Sequence, residues 1–192
     1  AANTPWLKVI WPTTPAEAKG MLKPAIRDND PVFVMDNTIL YNMEGEVPDD
    51  EDFIIPLGKA NVLREGSDIS IIAHGKAVHT SLETATILQE KHNINAEVVD
   101  LRSIRPLDVD SIISSIKKTN RVLLVEENKP FCGVDSQIAF LIQDQAFDYL
   151  DAPVHRITCE DVPFHYAPTL IKEILPNVEK AMKAIKKVTY KN

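Results

Sequence analysis

Residues 98–110 read VVDLRSIRPLDVD, and this stretch carries the strongest structural signal in the chain. Its first residues are apolar and β-branched, which is typical of a buried strand. Pro106 disfavours αR geometry at Arg105, so we expect the strand to end in a turn that carries Arg102 and Arg105. Asp108 can cap the helix that follows. The carboxyl end of such a strand is where α/β sheets place ligand-binding residues.

The rest of the chain alternates between buried strands and amphipathic helices. The sequence predicts strands at 7–10, 31–35, 60–64, 68–73, 96–101, 121–125 and 154–158. It predicts helices at 15–27, 78–92, 109–118 and 136–147, and terminal helices of which the last begins near Pro176. This spacing implies right-handed crossovers, so the predicted fold class is α/β with a mainly parallel sheet.

Composition divides the chain at one acidic segment and excludes several classes of protein. Residues 37–57 lose periodicity and carry acidic side chains around Pro48, as in a linker between residues 1–36 and 58–192. The net charge of −7 disfavours general binding to nucleic acid. No apolar run reaches the roughly 18–20 residues of a membrane-spanning helix, and residues 1–5 lack the features of a signal peptide. Cys132 and Cys159 have no metal-binding spacing and are expected to be reduced.

Short motifs occur in the order and spacing of one known family. They include DLRSIRPLD at 100–108, VEE at 125–127, DAPVHRIT at 151–158 and DVP at 161–163. Upstream, AIRD at 25–28 and IPLGKA at 55–60 agree with the same pattern. The chain resembles the β subunit of the thiamine-diphosphate-dependent decarboxylating component of the pyruvate dehydrogenase complex, which ends in a transketolase-type C-terminal domain.

This resemblance assigns the segments of the chain to two domains and implies where the catalytic residues lie. Residues 1–36 would be the C-terminal remnant of a pyrimidine-binding domain, and 58–192 a transketolase-type C-terminal domain. The full assembly would oxidatively decarboxylate pyruvate on thiamine diphosphate with magnesium and acetylate lipoyl groups. The family's cofactor-contacting glutamate and active-site histidine lie upstream of the segment that matches Leu7. We therefore assign no catalytic or cofactor-binding residue here, expect no bound cofactor, and expect the fragment alone to be inactive and to serve assembly.

The resemblance also implies one metal site. Family members bind a structural potassium ion through main-chain carbonyls of the turn that matches Ala25, Ile26, Asp28 and Asp30. Hard cations favour such oxygen ligands. Because the ligands are backbone atoms, Asp30 in place of the family's more usual asparagine is compatible with binding. An ordinary turn between helix and strand is the alternative.

Several polar residues have both a structural and a functional interpretation. Glu126 and Glu127 end a predicted strand, and we favour a salt bridge from one of them to Arg102 or Arg105 over substrate or partner contact. Gln137 stands where the family has glutamate, which puts a charge-dependent role of that helix start in doubt. His165 stands where the family more often has proline, and we favour a turn residue over a catalytic one.

The resemblance implies partners, and alternatives stay open. The partners would be an α subunit and a second β subunit in a heterotetramer, together with the subunit-binding domain of the dihydrolipoyl acyltransferase. Neither a membrane nor nucleic acid is expected. The location would be cytoplasmic in a bacterium or the mitochondrial matrix in a eukaryote. The alternatives are a related 2-oxoacid, acetoin or deoxyxylulose phosphate enzyme, or a non-catalytic α/β interaction module.

Overall fold

The computed structural model describes residues 1–190 and contains alternating strands and helices. The strands are β1 (Lys8–Ile10), β2 (Val32–Val34), β3 (Asn61–Arg64), β4 (Ile69–Ala73), β5 (Ala96–Asp100), β6 (Ser103–Arg105), β7 (Val122–Val125) and β8 (His155–Ile157). The α-helices are α1 (Pro15–Arg27), α2 (Ala77–His92), α3 (Val109–Thr119), α4 (Val134–Ala146), α5 (Pro168–Ile174) and α6 (Val178–Thr189). Short 3₁₀ helices cover Thr38–Asn42 and Phe147–Tyr149.

These elements pack into two compact units. The first unit contains Ala1–Asn61, His74–Lys76 and Leu101–Asp108, and the second contains Val62–Ala73, Ala77–Asp100 and the described residues from Val109 onward. Each unit has its own sheet core, as apolar burial requires. The boundaries 1–36, 37–57 and 58–192 remain a prediction about domains.

The first unit is built around a three-stranded sheet in the order β2-β1-β6. β1 runs parallel to β2 and antiparallel to β6. Thr14 caps α1 by accepting a hydrogen bond from the Glu17 amide, and Pro15 occupies the first turn. Met21 of α1 packs on Ile10, and the two side chains are fully buried.

The second unit is an α/β layer structure with the sheet order β3-β5-β4-β7-β8. β4 pairs in parallel with β5 and β7, and β7 pairs in parallel with β8. Every residue of β4 and β5 is buried, because helices cover a parallel sheet on both faces. Ile71 and Val98 contribute to an apolar cluster that also contains Leu88 of α2 and Ile185 of α6.

The lysines of residues 180–191 predict a solvated helix face, and α6 shows that face only in part. Lys183 and Lys187 are exposed, while Lys180 forms an ion pair with Glu160 at 2.7 Å. Ala184 lies on the buried face of the same helix. Lys191, which belongs to the predicted face, lies outside the described residues.

The predicted strands and helices are confirmed, with one correction. Residues 103–105 were expected in a turn, whereas they form β6 and pair with β1 through Val9 opposite Arg105. Membrane crossing needs a long apolar helix, and none of the helices within residues 1–190 meets that requirement.

A glycine substitution tests the close packing in the second unit. A Cβ atom at Gly66 would lie 2.2 Å from the Glu97 amide nitrogen and 2.3 Å from the Ala96 carbonyl carbon, both of them backbone atoms. We expect Gly66→Ala to lower the free energy of unfolding by about 2 kcal/mol or more, measured by urea denaturation. Gly45→Ala is the matched control, since its nearest neighbour would be Pro15 at 3.4 Å, and its effect should stay within about 0.5 kcal/mol. Equal effects would contradict the packing.

Candidate functional site

Arg102, the first arginine of the opening motif, belongs to a buried ion pair of the first unit. Its Nε donates a hydrogen bond to Glu17 Oε1 at 2.6 Å, and the Glu17 side chain is 3% exposed. The other oxygen, Glu17 Oε2, accepts hydrogen bonds from Thr13 N at 2.9 Å and Thr13 Oγ1 at 2.8 Å. Both carboxylate oxygens therefore have partners, which burial of a charge requires.

Arg105 and Asp108 also contact main-chain atoms of the first unit. Arg105 Nη1 donates to the Ala2 carbonyl oxygen at 2.6 Å, and Asp108 Oδ2 accepts from the Ala60 amide at 3.1 Å. The two arginines thus contact Glu17 and a main-chain carbonyl of the first unit, whereas the sequence predicted a salt bridge to Glu126 or Glu127. The arginines hold together segments that are distant in sequence.

Glu126 has a role that the sequence did not indicate. It is 2% exposed and follows β7, and its carboxylate accepts hydrogen bonds from Val134 N at 3.1 Å and Asp135 N at 2.9 Å. These amides belong to the first turn of α4, whose N-cap residue Gly133 supplies no side-chain bond. A carboxylate from the neighbouring strand therefore caps the helix and complements its dipole.

Asp135 and Arg156 extend this cluster across the second unit. Arg156 Nη1 lies 3.2 Å from Asp135 Oδ1 and donates to Ser136 Oγ at 2.6 Å and to the Pro130 carbonyl at 2.9 Å. Burial, followed by the hydrogen bond with Glu126, raises the pKa of Asp135 to about 6, although Arg156 opposes the rise. The second unit thus contains a buried carboxyl pair beside one guanidinium group.

The chain differs from the family pattern at the start of α4, near Gly133 and Gln137. A Cβ atom at position 133 would lie 2.4 Å from Asp135 Oδ1 and 2.8 Å from Glu126 Oε2, so the carboxyl pair leaves room only for glycine. Gln137, in place of the family's glutamate, is exposed. The charge at the start of α4 comes instead from Glu126 and Asp135.

The residues of the predicted potassium site lie at the end of α1. Lys8 Nζ is 2.7 Å from Asp28 Oδ1 and Oδ2 and 3.3 Å from Asp30 Oδ2. The hydrogen bond from Lys8 is the main cause that lowers the pKa of Asp28. Ala25 and Ile26 stand in the last helical turn, where carbonyls lack partners within the helix. Their donor chemistry fits a potassium ion, which remains a prediction.

The histidines and cysteines are dispersed. His165 is exposed in the loop before α5, and burial, with a smaller effect of Lys187, lowers the pKa of His155 on β8. Within residues 1–190, no three His, Cys, Asp or Glu side chains are grouped so that they could hold a metal ion. Cys132 is exposed and Cys159 is buried, and both are free thiols.

Glu17 and Asp135 carried only a weak signal of their roles in the sequence. Thr14 and Glu17 have the spacing of a capping box, which predicts a glutamate folded back over the helix start. In the structure, Glu17 accepts a hydrogen bond from the amide of Thr13, one residue before the N-cap, and a second one from Arg102. Asp135 stands in the first turn of α4, where acidic residues are common, so its pairing with Glu126 could not be inferred.

The fold and these contacts define an α/β protein with a parallel sheet buried between helices. The sequence profile of the family described as "Transketolase, C-terminal domain" matches residues 58–181. The chain belongs to this family.

Curated relatives narrow the resemblance further. The chain is 48% identical over 93% of its length to the acetoin:2,6-dichlorophenolindophenol oxidoreductase subunit beta of Bacillus subtilis, covering 52% of that protein. It is 45% identical over 99% of its length to the pyruvate dehydrogenase E1 component subunit beta of Rhizobium meliloti, covering 41% of it. For the mitochondrial subunit of Drosophila melanogaster the identity is 47%, over 97% of this chain and 52% of that protein. The chain thus spans about half the length of the relatives it matches.

A solved structure supports the fold. The chain titled "Split gene transketolase, inactive beta4 tetramer" aligns with a TM-score of 0.80 and 24% identity, over 98% of this chain and 60% of that one. At this level of identity the likeness concerns the fold alone.

Neutralising Glu17 tests the buried ion pair. Glu17→Gln removes a buried carboxylate charge that accepts hydrogen bonds from Arg102 and Thr13, so we expect the free energy of unfolding to fall by about 3 kcal/mol in urea denaturation. Glu65→Gln removes the same charge from an exposed pair with Lys118 and should cost less than about 1 kcal/mol. If both variants lose the same amount, the pair does not stabilise the first unit.

The raised pKa of Asp135 predicts a pH dependence of stability. Between about pH 4 and pH 6 the folded state binds a proton that the unfolded chain has lost, so stability falls as pH rises through this interval, by up to about 3 kcal/mol. Asp135→Asn should flatten the slope there, as measured by urea unfolding at each pH. Asp144→Asn, at an exposed acid of the same helix, should keep the wild-type slope. An unchanged slope in Asp135→Asn would contradict the assignment.

Proposed function

We propose that this chain forms part of the β subunit of a thiamine-diphosphate-dependent 2-oxoacid dehydrogenase, with pyruvate as the substrate. The observation that carries the proposal is 41–48% identity to pyruvate dehydrogenase and acetoin oxidoreductase β subunits along nearly the whole chain. The assembly would decarboxylate pyruvate oxidatively and acetylate lipoyl groups. Its α and second β subunits, and an acyltransferase, would be its partners.

The described residues support a role in assembly. Arg102, Glu126 and Arg156 carry charge at turns and strand ends, and each has partners within its own unit that fix the backbone. Such contacts shape a subunit without taking part in bond making. We therefore propose that this part of the subunit positions surfaces for its partners.

Thiamine diphosphate and its magnesium ion would be held outside this chain. The resemblance assigns the cofactor-contacting glutamate and the active-site histidine to a segment upstream of Leu7. When bound, the cofactor supplies a carbanion-stabilising centre for decarboxylation. We assign no reaction step to the present residues. A potassium ion on the carbonyls of Ala25, Ile26, Asp28 and Asp30 would serve structure only.

The acetoin relative favours a second candidate, an acetoin oxidoreductase β subunit. This relative is 48% identical to the chain, against 45% and 47% for the two pyruvate dehydrogenase subunits compared above. Global identity therefore leaves the choice between pyruvate and acetoin open. The RSIRPLD run at 102–108 and the DVP motif at 161–163 favour pyruvate over branched-chain substrates by resemblance. In either case, a bacterial assembly would be cytoplasmic and a eukaryotic one mitochondrial.

A decarboxylation assay tests both the function and the place of the chemistry. The chain alone, with thiamine diphosphate, magnesium and pyruvate, should release no carbon dioxide. The product of the whole gene, combined with its α subunit, should reduce dichlorophenolindophenol with pyruvate and much more slowly with acetoin. A preference for acetoin would support the second candidate. Carbon dioxide from the chain alone would contradict the upstream location of the catalytic residues.

The reading frame upstream of Ala1 gives an independent check. We expect it to encode a pyrimidine-binding domain that contains the glutamate and the histidine. A start codon at or close to Ala1 would contradict the proposal and favour a non-catalytic interaction module.

A further inference from the structure

A cavity of about 240 Å³ lies at the amino end of α1 in the first unit. The parallel strands β1 and β2 end beside it, which is the edge where α/β structures bind ligands. Its polar and apolar walls come from Pro12, Pro15, Asp36, Leu40, Tyr41 and Met43. None of these residues has a place in the proposed function.

The polar wall contains the carboxylate of Asp36, an exposed residue. Tyr41 Oη donates a hydrogen bond to Asp36 Oδ2, and this bond is the main cause that raises the pKa of Tyr41. The phenol of Tyr41 therefore stays a neutral donor. Because Tyr41 occupies Oδ2, Oδ1 is the atom placed to accept a hydrogen bond from a ligand.

The apolar wall and the volume limit what can enter. Pro12, Pro15, Leu40 and Met43 offer a surface for an aliphatic chain. At about 240 Å³ the cavity lies below the range of roughly 300–1,000 Å³ that suits cofactors and drug-sized ligands. Lysine and arginine side chains combine an aliphatic stem with a charged head group, which matches these two walls.

The surrounding charge favours a cation. Residues 28–58 contain nine acidic residues and no Lys, Arg or His. The ion pairs of residues 1–190 include none of the carboxylates of residues 36–52. Lys19 and Lys23 donate instead to main-chain carbonyls of this segment, those of Pro48 and Glu51. The negative potential of this segment is therefore available to attract a basic partner.

We propose that this cavity binds a lysine or arginine side chain from a basic segment of another protein. The stem would lie against the proline and methionine wall, and the head group would donate to Asp36. The cavity would thus make residues 36–43 a docking site, independent of whether the whole protein acts on pyruvate or acetoin.

Titration with a short peptide tests this directly. The probe is acetyl-Ser-Gly-Arg-Gly-Ser-amide, added to the ¹⁵N-labelled chain and followed by amide chemical shifts. We expect the largest shifts at Asp36, Leu40 and Tyr41, and about tenfold weaker binding by Asp36→Asn, the effect of losing one charge-assisted hydrogen bond. Glu46→Gln removes the same charge from the acidic segment without lining the cavity and should weaken binding less than twofold.

Further arms separate a built site from a diffuse acidic surface. The peptide with citrulline in place of arginine keeps the shape but loses the charge, and it should bind about tenfold more weakly. Equal losses in Asp36→Asn and Glu46→Gln, or shifts spread over residues 44–52, would overturn the proposal. Absence of any shift would overturn it as well. Far-ultraviolet circular dichroism of each variant verifies that the fold is intact.

Discussion

The ion pair between Glu17 and Arg102 is the interaction on which the first unit depends. It joins residues that are 85 positions apart, one at the start of α1 and one in the turn between β5 and β6. The Arg102 carbonyl also accepts the Trp11 amide at 2.7 Å, so the same residue fixes backbone and side chain. With β6 paired to β1, a segment from the middle of the chain becomes part of an N-terminal sheet. Burial makes this bond necessary, because an unpaired charge in that position would be costly.

In the second unit, charged side chains are paired in a cluster of two acidic residues and one arginine. Glu126 caps α4 from the end of β7, and Arg156 of β8 brings a positive charge to Asp135. The glycine at 133 is required because the two carboxyl groups occupy the space of a side chain. Neighbouring strands and a helix are thereby held together at the carboxyl edge of a parallel sheet, the edge that α/β proteins commonly use for recognition.

These two clusters change how the opening motif is understood. Arginines at a strand end suggest a catalytic edge, but Arg102 and Arg105 are satisfied by Glu17 and by the Ala2 carbonyl. These contacts of the two arginines are structural. Residues 58–181 belong to the family of transketolase C-terminal domains, and the chain spans about half the length of the relatives it matches.

The sequence by itself determined the alternation of strands and helices, the parallel sheet and the family. These features follow from local patterns, since apolar runs, prolines and capping residues act over a few positions. Only the tertiary structure decided that residues 103–105 form an antiparallel strand, that Arg102 meets Glu17, and that Glu126 meets Asp135. Such pairings depend on which segments the fold brings together. The residues next to a charged side chain do not indicate which distant residue will pair with it when it is buried.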